Sequence, residues 1–151
     1  MPTIEEAIQQ TTFTDPAHRA QVNIIYTSNW LNQLTTAALR GYGLSLQQFN
    51  VLRILRGRGN EPSTVKLLTE RMLDKMSNAS RLVDKLKEKG YVERRECASD
   101  RRRVDIVITE AGLRAVEEAS AAVNDIKDEY FGHLSDAEYT QLSGLLDKLR
   151  G

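Results

Sequence analysis

The chain has 151 residues, and its 21 Lys and Arg balance 21 Asp and Glu, so the formal net charge is zero. Apolar residues make up 40% and charged residues 28%, an ordinary globular composition that excludes disorder and fibres. No apolar run approaches the roughly 20 residues that cross a bilayer, and the acidic N-terminus does not resemble a secretory signal. We therefore expect a soluble, cytoplasmic protein with no membrane partner.

The few cysteines and histidines limit the chemistry of the chain. Cys97 is the single cysteine, which excludes an internal disulfide framework and a cysteine-based zinc site within one chain. The two histidines, His18 and His133, lie far apart, and we expect both to be solvated, with no metal bound. No nucleophile–base pair, paired acids or phosphate-binding glycine loop is present, so we expect neither an enzyme nor a cofactor.

Charge is unevenly distributed along the chain. Residues 53–103 hold 15 Lys and Arg against 8 Asp and Glu, a net charge of +7, so the rest of the chain carries −7. A centre that binds a polyanion, flanked by acidic segments, would have this distribution. A basic surface that only faces solvent would have it too, and composition alone leaves both interpretations open.

The N-terminal part predicts an arm and two helices. Residues 1–16 are polar, contain two prolines, and predict a flexible, weakly ordered arm. Apolar residues at spacings of three and four predict one apolar stripe on a long helix over about residues 17–41. The stripe consists of Val22, Ile25, Tyr26, Trp30, Leu34 and Ala38. A second helix opens at the capping box Ser45–Gln48 and is ended by Gly57, Gly59, Asn60 and Pro62.

Two shorter helices are predicted next. Ser63 is expected to cap the first, which runs to about Met72, and the second begins near Asp74 or Lys75 and ends at Gly90. The connection between them is too short for antiparallel packing and suits two helices that cross steeply. This pattern predicts a helix-turn-helix.

Polar residues gather at the start of the second of these helices. On a helical wheel Ser77, Asn78, Ser80 and Arg81 lie opposite the apolar face or on its flanks. Short donors and acceptors with one arginine are the types that read base edges, and a recognition helix reads the major groove with its N-terminal residues. An amphipathic helix with a solvated face has the same pattern, so this helix alone leaves both interpretations open.

An extended hairpin is predicted after Gly90. Residues 91–95 and 104–108 are rich in β-branched residues and predict two strands, joined by a long polar tip over residues 96–103. The tip carries Asp100, Arg101, Arg102 and Arg103, and arginines on a projecting hairpin suit the minor groove. Asp100 is expected to hold one arginine by an oriented hydrogen bond. A surface turn with incidental charge is the alternative, which the preceding helix-turn-helix weakens.

Two further helices are predicted over about residues 110–150. The first opens at Thr109 and the second at the capping box Ser135–Glu138. One face of the last helix carries Leu142, Leu145, Leu146 and Leu149. A second copy of the chain would bury this face and would place two recognition helices about one helical turn apart on a pseudo-palindrome. Packing within one chain is the alternative.

Two runs of sequence resemble MarR-family transcriptional regulators. Residues 77–94 are similar to the family's recognition helix and first wing strand, and residues 100–112 are similar to its DRR wing, alternating second strand and LT-x-x-G motif. The resemblance implies a mainly α winged helix-turn-helix fold with a small β-hairpin wing, no catalytic activity and a homodimer. The DNA-binding lobe would span about 45–110, within a single unit over 17–151, between dimerisation helices over about 17–41 and 110–150. Leu73 departs from the family pattern, because many relatives have glycine in the helix-turn-helix turn.

Two functions from different classes remain. The first is a sequence-specific, homodimeric DNA-binding repressor, released by a small aromatic or lipophilic effector. The second is a winged-helix module that binds protein and not DNA. The DRR segment and the basic centre favour the first.

Three side chains are candidates for the effector or for redox chemistry. The resemblance suggests a small-molecule pocket that Tyr26 and Trp30 would line, although aromatic rings at helical spacing are more often plain core. Arginines beside Cys97 would lower the pKa of its thiol, but we expect an unreactive surface thiol.

Overall fold

Helices and one β-hairpin build the part of the chain that this computed structural model describes, residues 1–59 and 61–151. The helices are α1 (Ile4–Ile8), α2 (Pro16–Leu39), α3 (Leu46–Arg58), α4 (Val65–Arg71), α5 (Ala79–Glu88), α6 (Glu110–Tyr130) and α7 (Asp136–Arg150). The antiparallel strands are β1 (Val92–Cys97) and β2 (Asp100–Ile108). The predicted fold class, mainly α with a β-hairpin wing, is confirmed. Asn60, predicted to help end the helix that is α3, lies outside the described residues.

The first sixteen residues contain a helix that the sequence did not predict. Thr3 caps α1, because its hydroxyl accepts from the Glu6 N–H while the Glu6 carboxylate accepts from the Thr3 N–H at 2.8 Å. Ile4 is buried, and Arg19 of α2 donates to the Glu5 carboxylate at 2.5 Å. The predicted weakly ordered arm is therefore corrected to a short helix, tied to α2 by an ion pair.

One apolar core joins the helix-turn-helix and the hairpin to the long helices. It draws on α3, α4, α5, both strands, the inner face of α6 and Leu39 at the end of α2. Its buried residues include Leu39, Leu52, Leu55, Leu68, Met72, Val83, Leu86, Val92, Ile106 and Val116. Because α5 and the wing share this core, their relative positions are fixed by packing.

Ser63 has a different role from the predicted one. Thr64 caps α4, since its hydroxyl accepts from the Leu67 N–H at 3.1 Å. Ser63 is buried and its carbonyl accepts from the Ile106 N–H at 2.6 Å, an isolated bridge that adds a third segment beside β2. Its hydroxyl accepts from Arg58 at 3.3 Å. The predicted cap is wrong by one residue, because Ser63 pairs with a distant strand.

The long helices leave apolar side chains exposed in the single chain. In the predicted α2 stripe Trp30 packs edge-on against Tyr130 of α6, with ring centroids 6.1 Å apart, whereas Ile25 and Tyr26 are exposed. On α7 three of the four predicted leucines are exposed, Leu145 by 58%. The α2 stripe is therefore only partly buried within one chain. No helix in the described ranges is long and apolar enough to span a membrane.

Candidate nucleic-acid interface

The recognition helix starts later than predicted. Asn78 caps α5, because its side-chain oxygen accepts from the Arg81 N–H at 3.1 Å. The preceding residues form a turn in which the Asp74 carboxylate accepts from the Met76 N–H at 2.9 Å and its carbonyl from the Ser77 N–H at 3.2 Å. An aspartate that bonds the backbone two residues on favours a turn over a helix. The predicted start near Asp74 or Lys75 is therefore wrong.

The structure brings three of the four predicted recognition residues to one exposed end of α5. Asn78, Ser80 and Arg81 are exposed there. Ser77 precedes the helix, and its hydroxyl oxygen is buried without a hydrogen-bond partner among the described residues. Asn78 uses its oxygen for the cap, so its amide nitrogen is the group free to donate outward. The hydroxyl of Ser77, unlike the side chains of Asn78, Ser80 and Arg81, is therefore turned away from solvent.

The turn between α4 and α5 does not need a glycine. Gln9 is the single non-glycine residue with positive φ in the described ranges, so Leu73 has an ordinary backbone conformation. The Leu73 N–H donates to the side-chain oxygen of Asn50 on α3 at 3.0 Å, and the Leu73 side chain is 88% exposed. Leucine therefore replaces the family's usual glycine here without backbone strain.

The three wing arginines lie on a strand and not on a loop. The strands pair regularly from Val92–Ile108 to Glu96–Val104, and the next pair is Cys97–Asp100. Residues 101–103 therefore fall between two paired positions of β2 whose partners, Glu96 and Cys97, are consecutive on β1. This part of β2 is irregular. The predicted long tip is wrong, because residues 98 and 99 alone reverse the chain. All three arginines are exposed.

Asp100 does not hold a guanidinium group. Its carboxylate accepts from the backbone N–H of Arg102 at 3.0 Å and has no ion pair in the described part of the chain. The arginine that is held is Arg103, whose Nε donates to Asp105 at 3.0 Å. The Asp105 side chain is 16% exposed. Sequence reasoning missed this pair, although residues two apart on a strand share a face.

An ion pair joins the recognition helix to the wing. Arg94 of β1 donates to the Asp84 carboxylate of α5 at 2.6 Å, and the same nitrogen lies 3.5 Å from the Ser80 carbonyl oxygen. An unpaired Asp84 carboxylate would repel a nearby phosphate. The pairing with Arg94 offsets that charge and connects α5 to β1.

The base of the wing is closed by Thr109 and Gly112. The Thr109 hydroxyl accepts from the Gly112 N–H at 3.1 Å and donates to the Gly90 carbonyl at 2.7 Å. The Thr109 N–H donates to the Tyr91 carbonyl at 3.0 Å. A Cβ at Gly112 would lie 2.2 Å from that same carbonyl oxygen. This packing explains why the LT-x-x-G motif combines a threonine with a glycine three residues later.

Cys97 lies at the end of β1, and the pKa of its thiol is lowered. A hydrogen bond with the Ser99 hydroxyl, with 3.2 Å between Sγ and Oγ, and bonds with the backbone of Ser99 and Asp100 lower the pKa of the thiol. We expected neighbouring arginines to cause this shift. The charge that acts on the thiol is instead Asp105, which raises its pKa.

A cleft of about 560 Å³ separates the long helices from the helix-turn-helix. Its lining includes Phe49, Asn50, Arg53, Leu73, Asp74 and Val123. The Arg53 guanidinium lies over the Phe49 ring, 5.5 Å from its centroid. Tyr26 and Trp30, the predicted effector contacts, do not line this cleft. In the described ranges no three His, Cys, Asp or Glu side chains are grouped to hold a metal ion.

Comparison with known proteins places this geometry in a family. The model of the MarR family matches residues 42–103, from just before α3 to the last wing arginine. A solved structure of a MepR-like protein in complex with pseudoligands is 30% identical, with a TM-score of 0.67 over 91% of this chain and 94% of that chain.

Two more distant structures share the fold over nearly the full length. CouR from Rhodococcus jostii RHA1, solved with p-coumaroyl-CoA bound, is 24% identical, with a TM-score of 0.74 over 91% of this chain and 95% of its own. AbsC, a MarR family transcriptional regulator from Streptomyces coelicolor, is 21% identical, with a TM-score of 0.77 over 93% and 96%. With its helix-turn-helix, its arginine-bearing wing and these matches, the chain belongs to the MarR family of DNA-binding transcriptional regulators.

Proposed function

We propose that the chain is a sequence-specific, homodimeric repressor that a small aromatic or lipophilic effector releases from DNA, and that it is not an enzyme. The observation that carries the proposal is the exposed end of α5 beside an arginine-bearing strand. Asn78 and Arg81 offer donors at that end, and the Arg94–Asp84 ion pair holds the wing beside it. These two elements together match the shape and charge of adjacent DNA grooves.

The recognition helix and the wing contact different grooves of the duplex. The N-terminal end of α5 enters the major groove, where Asn78, Ser80 and Arg81 read base edges. Arg101 and Arg102 on β2 have no ion-pair partner in the described ranges, so their charge is free for the minor groove and its phosphates. Ser77 contributes through the turn and not through a base contact.

The long helices supply the dimer. The exposed leucines of α7 and the exposed Ile25 and Tyr26 of α2 form apolar surface that a second copy of the chain would cover. In this dimer the dimerisation helices are α2, α6 and α7. The DNA-binding lobe over about residues 45–110 lies to one side of them. Two lobes related by a two-fold axis fit a pseudo-palindromic operator.

The effector binds in the cleft beside the helix-turn-helix. The cleft combines the Phe49 ring and Val123 with the Arg53 guanidinium, so it suits an apolar molecule that carries an acceptor or negative charge. CouR is described with p-coumaroyl-CoA bound and the MepR-like protein with pseudoligands. We therefore assign the effector to this cleft and not to Tyr26 and Trp30.

Selection from a random duplex pool with the full chain tests the proposal. The expected result is one enriched pseudo-palindrome, on which Arg81→Ala costs about 1–3 kcal/mol and relaxes the sequence preference. Asn78→Ser keeps a capping oxygen but removes the amide donor, and it should relax a different position. Arg114→Ala, an exposed arginine of α6, is the matched control and should bind as wild type.

Two outcomes would contradict this function. If no sequence is enriched at moderate salt, the alternative of a protein-interaction module gains support. If Arg81→Ala weakens binding equally on every sequence, Arg81 contacts phosphate and does not read bases.

A further inference from the structure

A side chain from α3 holds the turn that precedes the recognition helix. The side-chain oxygen of Asn50 accepts from the Leu73 N–H at 3.0 Å, across 23 residues of sequence. Leu73 is the first residue after Met72, which ends α4. Asn50 therefore bonds the chain at the point where it leaves the first helix of the helix-turn-helix.

Packing does little to fix this turn. The side chains of Leu73 and Met76 are 88% and 92% exposed, so neither anchors the turn in the core. The middle of the turn is held by hydrogen bonds, from the Leu73 N–H to Asn50, from the Met76 and Ser77 N–H groups to Asp74, and from the Lys75 ammonium group to the Glu70 carbonyl of α4. Among these bonds, the one to Asn50 is the one that reaches α3, so it fixes the start of the turn relative to that helix.

Asn50 faces the cleft as well as the turn. Asn50, Leu73 and Asp74 all belong to the lining of the cleft. The side-chain oxygen of Asn50 accepts the hydrogen bond from the turn. Its side-chain nitrogen has no hydrogen-bond partner within residues 1–59 and 61–151. The contact that holds the turn before α5 is therefore accessible to a molecule bound in the cleft.

We infer that Asn50 is a positioning residue for DNA recognition, which acts on α5 through its hydrogen bond from Leu73 and without touching DNA. This inference rests on the proposed function, because it assigns Asn50 a role at the same DNA-binding surface. Losing the bond leaves the turn free to adopt other conformations, and DNA must then order it on binding.

Two Asn50 variants and one control separate this role from others. Asn50→Ala removes the acceptor and should weaken binding to the selected operator about three- to tenfold, the effect of one hydrogen bond. Asn50→Asp keeps an acceptor and should bind within about twofold of wild type. Arg114→Ala, the exposed control on α6 used above, leaves the turn and the cleft unchanged and should bind as wild type.

Two further measurements exclude a contact role and a general loss of stability. The slope of log affinity against log salt should be the same for Asn50→Ala and wild type, because no phosphate contact is lost. In the free protein, amide exchange at Leu73 should accelerate in Asn50→Ala, while exchange at Val83, buried in α5, stays unchanged.

Unchanged affinity or unchanged Leu73 exchange in Asn50→Ala would overturn the inference. So would faster exchange at Val83, which would make Asn50 a residue of general stability. If wild type selects no DNA sequence, the proposed function fails and the inference fails with it. If wild type selects a sequence but Asn50→Ala binds it equally well, the inference alone fails.

Discussion

Gly112 is a position where one added methyl group should lower both the stability of the fold and the affinity for DNA. It lies in the first turn of α6, directly against the start of the wing. A Cβ there would lie 2.2 Å from the Tyr91 carbonyl oxygen and 2.8 Å from Cγ1 of Ile108. The first distance is far shorter than any contact that a real Cβ makes, and its partner is backbone.

The Tyr91 carbonyl cannot move without further loss. It also accepts from the Thr109 N–H at 3.0 Å, so the displacement that relieves the Gly112→Ala clash strains that bond. Overpacking of this kind costs about 1–3 kcal/mol, and a weakened hydrogen bond adds about 0.5–1.5 kcal/mol. Alanine recovers up to about 1 kcal/mol of helix preference. We expect a net loss of about 0.5–4.5 kcal/mol in the free energy of unfolding.

Urea denaturation at one fixed protein concentration measures this loss, because the stability of the proposed dimer would depend on concentration. Gly57→Ala in α3 is the matched control, since in the described ranges no atom outside its own helix backbone and chain neighbours lies within 4 Å of its added Cβ, and it should be neutral or stabilising. Gly112→Ala should also bind the operator less tightly under folded conditions, because the shifted Tyr91 leads into β1. Wild-type stability for Gly112→Ala would refute the reasoning.

Three further predictions concern charge and assembly. Asp100→Asn and Asp100→Ala both remove a negative charge, but only Asp100→Asn keeps the acceptor for the Arg102 N–H. In fluorescence titrations Asp100→Asn should therefore bind DNA more tightly than Asp100→Ala. Equal affinities would show that this hydrogen bond does not affect DNA binding. The guanidinium of Arg19 lowers the pKa of Glu5 from 4.5 to about 2, so the pair's contribution to stability should be lost as pH falls from 4.5 towards 2. An NMR titration should find that low midpoint in wild type and a higher one in Arg19→Ala, where the hydrogen bonds to the backbone and to Thr3 still keep the pKa of Glu5 below 4.5. Leu145→Lys should reduce the mass in light scattering to the 17.1 kDa of one chain, whereas Thr140→Lys, on the opposite face of α7, should remain dimeric.

Local chemistry in the sequence determined most of the helices and the fold class. The capping boxes at Ser45 and Ser135 and the cap at Thr109 are confirmed, because each joins residues only three apart. The inward face of α5, with Val83 and Leu86 buried, is confirmed for the same reason, since residues three and four apart share a helix face.

The tertiary structure decided the details of the DNA-binding surface. The start of α5 depends on competition between helix and turn, and Asn50, 23 residues before Leu73, contributes to the turn. The position of the wing arginines depends on the strand register. An irregularity after Glu96 shifts that register. The Arg94–Asp84 ion pair forms only once α5 and β1 are packed together. Periodicity and capping report contacts within a few residues, whereas register, turn choice and ion pairing depend on which distant segments the core brings into contact.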